Sequence, residues 1–228
     1  MAKGNGNSAL STSMTDLMTS LAVIFILLLA ASLNNAQQEG ENTRNTILQR
    51  LSERLQTEVD QYQGQGFEIN NDPKDPLGLI VVVPDGLLNF EVNRAEIPPQ
   101  GIKFLQSIIP KMASTLCSED FRKEMESIVI EGHTDTTGKD EVNLPLSQAR
   151  SMKVVQQSLQ ALAEQNRSCF LELLSATGRG SVDPVKDQIG KVDLNRSRRV
   201  VFKIRVRSLE RRIINEVFGN GAPPARNK

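Results

Sequence analysis

The sequence predicts a single transmembrane helix followed by an α+β domain whose helices pack on one mixed sheet. Three observations carry that prediction. Leu17 to Leu33 read LMTSLAVIFILLLAASL, 17 residues without a charge. A polar stretch rich in Gln, Asn and Glu follows and is closed by Asp72-Pro73 and Asp75-Pro76. Beyond Gly78 the apolar residues switch between the two-residue period of a strand and the 3.6-residue period of a helix. The chain therefore divides into an N-terminal segment (1–13), a transmembrane helix (14–34), a linker with an amphipathic helix (35–77), a folded domain (78–207) and a C-terminal helix with a tail (208–228).

The apolar run by itself reaches roughly 25 Å, short of the hydrocarbon core, but Ser11 to Asp16 can extend the helix by more than a turn. That extension brings Asp16 into the membrane edge. An ionised carboxylate at the centre of a spanning helix costs about 2.5–3.5 kcal/mol, so such a group faces a partner or carries a proton. Capping the helix in the interface is the competing role for Asp16, and physics alone does not separate the two. A cleaved secretory signal is the competing reading of the whole segment, because Ala30-Ala31-Ser32 offers small residues after an apolar run. The length of the run, and the placing of Lys3 thirteen residues before Asp16, favour an uncleaved anchor.

Charge and cysteine content narrow the function classes. Lys+Arg and Asp+Glu number 27 each, so the positive surplus that binding to nucleic acid demands is missing. Two cysteines, Cys117 and Cys169, are too few for a disulfide framework or a Cys-rich zinc site.

Within the linker, Leu48, Leu51, Leu55 and Val59 recur at spacings of 3, 4 and 4 with charged residues between them, the pattern of an amphipathic helix. Its apolar stripe needs a cover. A two-helix coil with a second copy is the favoured cover, and packing on the following domain is the alternative.

In the domain, Leu79 to Val83 read as a strand, Asp85-Gly86 as a turn and Leu87 to Val92 as a second strand, together a hairpin. Pro98-Pro99 opens a helix carrying Ile102, Leu105, Ile108, Ile109, Met112 and Leu116 on one face, with a kink expected at Pro110. Ser127–Glu131 read as a strand, Ser147–Leu162 as a helix, Leu171–Ala176 as a strand, Gly178-Arg179-Gly180 as a turn and Arg199–Val206 as the last strand. Leu209, Ile213, Ile214, Val217 and Phe218 mark the short C-terminal helix.

Two sets of residues carry a resemblance. Thr15-Asp16-Leu17-Met18-Thr19 before an apolar run resembles the single transmembrane helix of MotB-type stator subunits, in which the matching aspartate binds the translocated ion. Glu131-Gly132-His133-Thr134-Asp135 with Gly138, then Asn143, Leu146-Ser147 and Ala149-Arg150, then Gly178-Arg179-Gly180, then Ser197-Arg198-Arg199-Val200, resemble an OmpA-like peptidoglycan-binding domain. The absence of tryptophan and the added C-terminal helix incline the resemblance towards the MotB-like subunits of Zorya anti-phage defence systems. The sequence departs from the OmpA-like pattern at Val142, where tyrosine is frequent, and at Ser197, where asparagine is usual.

The resemblance implies a fold and a set of roles. It implies that Asp16 is the proton carrier and that Asp135 and Arg150 grip the ammonium and carboxylate of a diaminopimelate residue. Asn143 and Arg198 are further contacts, and Leu146 shapes the pocket wall. It also implies a MotA-like polytopic partner, a homodimer within a hetero-oligomeric complex, and residence in the bacterial inner membrane with the N-terminus cytoplasmic and the domain periplasmic. In that compartment a bridge between Cys117 and Cys169 is expected.

Plain structural roles stand beside these. Asp135 and Arg150 could be an ordinary ion pair, worth about 0–1 kcal/mol if exposed. His133, the one histidine, is read as a structural residue and neither a base nor a metal ligand. No cofactor or metal is expected, and the sequence carries no nucleophile-base constellation that would make an enzyme. A tether between membrane and wall, without ion transport, is the rival function, and a flagellar-type stator subunit the nearer alternative.

Overall fold

The structure, a computed structural model, describes residues 6–62 and 64–208, and for 6–15 and Glu39 the backbone alone. Contacts divide the chain into one unit ending at Asn45 and a second beginning at Thr46. The C-terminal helix expected over Leu209 to Phe218 lies outside the described residues.

Helix α1 runs Gly6–Val59. Among the described residues it is the one helix long and apolar enough to cross a membrane. In the first unit its side chains from Leu17 to Leu33 are exposed on every side, including Leu21, Phe25 and Leu28. A helix apolar all round is the kind that a membrane or a large core must surround.

In the second unit the stripe Leu48, Leu51, Leu55 and Val59 is buried in the unit's own core. This overturns the expected coil with a second copy, since the stripe leaves no apolar seam for one. Packing on the domain wins because four buried side chains each gain roughly 1.5–3 kcal/mol there without the cost of bringing two chains together.

The domain continues with β1 (Glu68–Asn71), β2 (Gly78–Pro84), α2 (Asp85–Leu88), α3 (Pro99–Leu116), β3 (Met125–His133), α4 (Asp140–Gln160), α5 (Glu164–Leu173), β4 (Leu174–Gly180), α6 (Leu194–Ser197) and β5 (Arg199–Val206). The strands form one mixed sheet in the order β1-β2-β5-β3-β4. Its β3–β4 pair is parallel and the other pairs are antiparallel. Leu79, Val81 and Val83 of β2, Val200, Phe202 and Ile204 of β5, and Ile128 and Ile130 of β3 are buried. They alternate along their strands and form one core with Leu105, Ile108, Ile109 and Met112 of α3. A disulfide joins Cys117, the C-cap of α3, to Cys169 of α5.

Several elements differ from the sequence reading. The hairpin partner of β2 is β1, which lies in the stretch read as linker, and Asp72 to Leu77 form the turn between them. Leu87 to Val92 is not a strand: α2 ends at Asn89 in the left-handed conformation (φ 55°), and Asn93 repeats it (φ 56°), so the chain turns twice where a strand would extend. Helix α3 is assigned without interruption through Pro110. Helix α4 begins seven residues before Ser147, and residues 171–173 close α5 and do not belong to a strand. Cys169 therefore sits inside a helix.

Gly178 and Gly180 lie in β4 and not in a turn. Gly178 is a glycine because α4 crosses closely here, and Gly180 because its φ of 55° lies in the left-handed region. A Cβ at Gly178 would stand 2.5 Å from the Gln148 amide nitrogen, and one at Gly132 would collide with the Ser147 backbone. That close approach sets the first turns of α4 against the ends of β3 and β4, where the candidate site is built.

Candidate peptidoglycan site

The site begins where β3 ends. Its register against β4 shifts between Gly132 and His133, and such an irregularity re-aims the residues that follow. Thr134 donates its amide to the Gly180 carbonyl (2.9 Å), so the chain carrying Asp135 leaves the sheet at a fixed point. From the helix side, the Ser147 hydroxyl accepts the Gly180 amide (2.9 Å) and Gln148 Oε1 accepts the Gly178 amide (2.6 Å). Arg150 lies one turn further along α4 than Leu146, on the same face.

Asp135 is 7% exposed. Its Oδ1 accepts from the Thr137 amide (2.8 Å) and from the Thr137 hydroxyl, an Asx-type turn that locks the carboxylate. Its Oδ2 accepts from Arg198 Nη1 at 2.7 Å. Burial pushes the Asp135 pKa up, but the bonds from Thr137 and Arg198 outweigh it and hold the carboxyl below its ordinary value. The group stays ionised.

Arg150 is 6% exposed and does not pair with Asp135. Its Nε donates to the Arg94 carbonyl (2.9 Å), one Nη donates to the Glu91 carbonyl (3.1 Å), and the guanidinium lies 4.7 Å over the Phe90 ring. The other Nη makes no hydrogen bond among the described residues. The plain ion pair weighed for Asp135 and Arg150 is thus replaced by an Asp135–Arg198 pair, and the loop after α2 holds Arg150 through its backbone.

Asn143 is buried and donates Nδ2 to the Thr137 carbonyl (2.9 Å), bracing the Asp135 loop. Leu146 is half-buried. Val142, at the position where tyrosine is frequent in the resemblance, is 54% exposed. Ser197 is fully buried, its hydroxyl accepting the Val185 amide (3.0 Å) and donating to the Asp193 carbonyl (2.6 Å), which steadies the approach to Arg198. Asp16, in the first unit, is exposed, and its carbonyl accepts from the Thr19 hydroxyl (2.9 Å).

The sequence reading missed Asp85. Its Oδ2 lies 3.9 Å from Arg198 Nε, and its amide donates to the Arg198 carbonyl (3.1 Å). Burial raises its pKa, against the opposing pull of Arg150 and Arg198. Thr137 and the carbonyls of Glu91 and Arg94 were missed as well. Asp-x-Thr is a turn signal that could have found Thr137, whereas backbone acceptors leave no trace in side-chain identity.

Residues 89–198, from the Phe90 loop through Arg198, match the OmpA family. A MotB-like protein from Desulfovibrio vulgaris shares the fold at TM-score 0.51 and 22% identity, over 75% of this chain and 99% of that one. Residues 89–198 are thus similar to OmpA-family domains, on a fold shared with that MotB-like protein. The chain's curated relatives include the Zorya protein ZorB of Escherichia coli O139:H28 (strain E24377A / ETEC), 32% identical over 61% of this chain. The chain spans 56% of that relative's length. A second Zorya protein ZorB, from Escherichia coli strain ATCC 8739, is 28% identical over 84% of this chain and 86% of its own length. The OmpA-family match contains Asp135, Asn143, Leu146, Arg150 and Arg198, while Asp85 falls just outside it.

On the sheet face opposite the core a separate cavity of about 190 Å³ is lined by residues that include Asp72, Glu131, His133, Asp183, Arg199 and Lys203. His133 is 3% exposed there, and its Nε2 lies 3.4 Å from Glu131 Oε2. Burial lowers the His133 pKa and Arg199 adds to that effect, while Glu131 and Asp183 oppose it. Burial thus disfavours the protonated imidazole. Among the described residues no group of three or more potential ligands could hold a metal.

Proposed function

We propose that this chain is the membrane-anchored, peptidoglycan-binding stator subunit of a proton-driven motor, acting in anti-phage defence beside a MotA-like polytopic subunit. The observation that carries the reading is the cluster of Asp135, Arg150 and Arg198 at one end of an OmpA-family sheet, in a chain that begins with an apolar helix bearing Asp16. A diaminopimelate end presents an ammonium and a carboxylate a few Å apart. A fixed carboxylate and a guanidinium with a free donor recognise both through charge-assisted hydrogen bonds.

In this reading residues 1–13 lie in the cytoplasm, 14–34 cross the inner membrane and the domain stands in the periplasm. Asp16 loads and releases protons as partner helices turn about a dimer of this chain, and Asp135 and Arg150 supply the fixed point that torque requires. Asn143 and Arg198 hold the site in shape, Leu146 walls it, and the Cys117–Cys169 bridge suits an oxidising compartment. No bound cofactor enters the scheme. The name of the relatives, Zorya protein ZorB, supports the defence role, and the MotB-like fold supports the stator role.

The test is a sacculus pull-down of the membrane-extracted chain. The wild-type chain should sediment with purified peptidoglycan, and Asp135→Ala and Arg150→Ala should each stay in the supernatant at unchanged melting temperature. Sedimentation of both variants would sink the wall-binding reading.

A further inference from the structure

Asp135 as it stands is a poor receptor for an ammonium. One of its oxygens is taken by two bonds from Thr137, and the other is bonded to Arg198 at 2.7 Å. A cation arriving at the remaining lone pair meets the Arg198 charge head-on. Asp85 changes that balance. Its Oδ2 stands 3.9 Å from Arg198 Nε, on the side of the guanidinium away from the Nη1 bonded to Asp135. Its amide is bonded to the Arg198 carbonyl, so the two residues are held together by backbone as well as by charge. The pairing of Pro84 with Arg199 in the β2–β5 ladder places this contact at the very end of the sheet.

The charges around the site are Asp85 and Asp135 against Arg150 and Arg198. Two carboxylates and two guanidiniums give a neutral ring, which matches a ligand end that is itself a zwitterion. Without Asp85 the ring carries one net positive charge. It would then favour a bare carboxylate and repel an ammonium.

We propose that Asp85 is the residue that makes the site selective for a ligand end carrying both an ammonium and a carboxylate: by engaging Arg198 it releases Asp135 to take the ammonium. Asp85 acts through Arg198 and is a positioning residue. The inference rests on the peptidoglycan reading and deepens it, since it says which end of the peptide stem is recognised and why a simple acid is not.

The experiment uses the full chain in detergent and two soluble probes, titrated calorimetrically. One is the tripeptide L-alanyl-γ-D-glutamyl-meso-diaminopimelate with its side-chain amine free. The other is the same tripeptide with that amine acetylated. Asp85→Asn should weaken binding of the free-amine probe about tenfold or more, the scale of one charge-assisted hydrogen bond, and the acetylated probe less than about twofold. The double variant D85N/R198Q, in which Asp135 is no longer masked, should recover part of the loss for the free-amine probe. Asp85→Glu, which keeps the charge, should keep the selectivity.

Equal losses for the two probes, no loss at all, a double variant no better than D85N, or lost selectivity in D85E would each overturn the proposal. A wild-type chain that binds neither probe overturns the peptidoglycan reading itself, and this inference with it. A wild-type chain that binds while its D85N variant keeps full selectivity overturns this inference alone.

Discussion

Two stretches of the same helix meet opposite fates. From Leu17 to Leu33 α1 is apolar on every face and exposes all of it, while from Leu48 to Val59 it is apolar along one stripe and buries that stripe completely. The difference lies in periodicity and not in hydrophobicity as such. A stripe at spacings of 3 and 4 can be satisfied by one neighbouring surface, and the domain supplies it. A helix that is apolar all round has no face to turn to water, so a lipid phase is the environment that accounts for it. One carboxylate, that of Asp16, stands just ahead of the first stretch, and the second carries none on its buried stripe.

The largest expected effect breaks the first stretch alone. Asp16→Asn should abolish protection in a phage plaque assay, because the amide cannot load and release a proton, while sacculus sedimentation stays at the wild-type level. Full protection by the variant would end the ion-carrier role and leave the tether. The next effect sets the stretches against each other. Leu55→Ala removes a fully buried side chain and should cost about 2–5 kcal/mol in the melting of the domain. Leu27→Ala, whose side chain is 63% exposed, should leave that melting unchanged. Equal shifts would mean that the two stretches are not differently covered.

How much could be read from the chain follows the same logic of cover. β2, α3, β3 and β5 were legible because Leu79, Val81 and Val83, the α3 stripe, and Val200, Phe202 and Ile204 each show one period cleanly. β1 was not, since Glu-Ile-Asn-Asn at a sheet edge buries too little to show alternation. The stretch Leu87 to Val92 misled because Leu88 and Phe90 are both buried at strand spacing, yet the left-handed turns at Asn89 and Asn93 route them there without a strand. At the site, Asp135, Asn143, Arg150 and Arg198 stood out by their motif. The Asp135–Arg198 pair and the seat of Arg150 on the Glu91 and Arg94 carbonyls depend on chain segments 56 to 63 residues apart, which spacing does not reveal.

The disulfide perturbs the second unit without touching the first. Its residues are 52 positions apart, and opening it in a Cys117→Ser, Cys169→Ser double variant should cost about 2–4 kcal/mol of domain stability in the loop-entropy picture. Membrane association should persist. Melting that is indifferent to reductant would show that the α3 and α5 packing needs no tie.

The smallest effect is a pH dependence, and it sharpens what burial means in the second unit. His133 is enclosed with Glu131 on its own strand, Arg199 and Lys203 on β5 and Asp183 in the loop after β4. Burial and Arg199 lower its pKa, so the folded protein resists protonation at a pH where the unfolded chain already binds the proton. The unfolded state then holds more protons, and stability falls as pH drops below about 6.5, levelling off once the folded imidazole also titrates. Glu131, whose pKa is lowered against its burial by His133 and Lys203, adds a loss of the same sign at more acid pH. His133→Gln should flatten the slope of unfolding free energy just below pH 6.5, by up to about 1.4 kcal/mol per pH unit, and shrink the more acid limb, because the imidazole also helps to hold the Glu131 pKa down. Chemical denaturation followed from pH 7.5 to 4 would measure it. An unchanged slope in the variant would show that the imidazole is not held neutral, and that His133 is more open to water than its 3% exposure indicates.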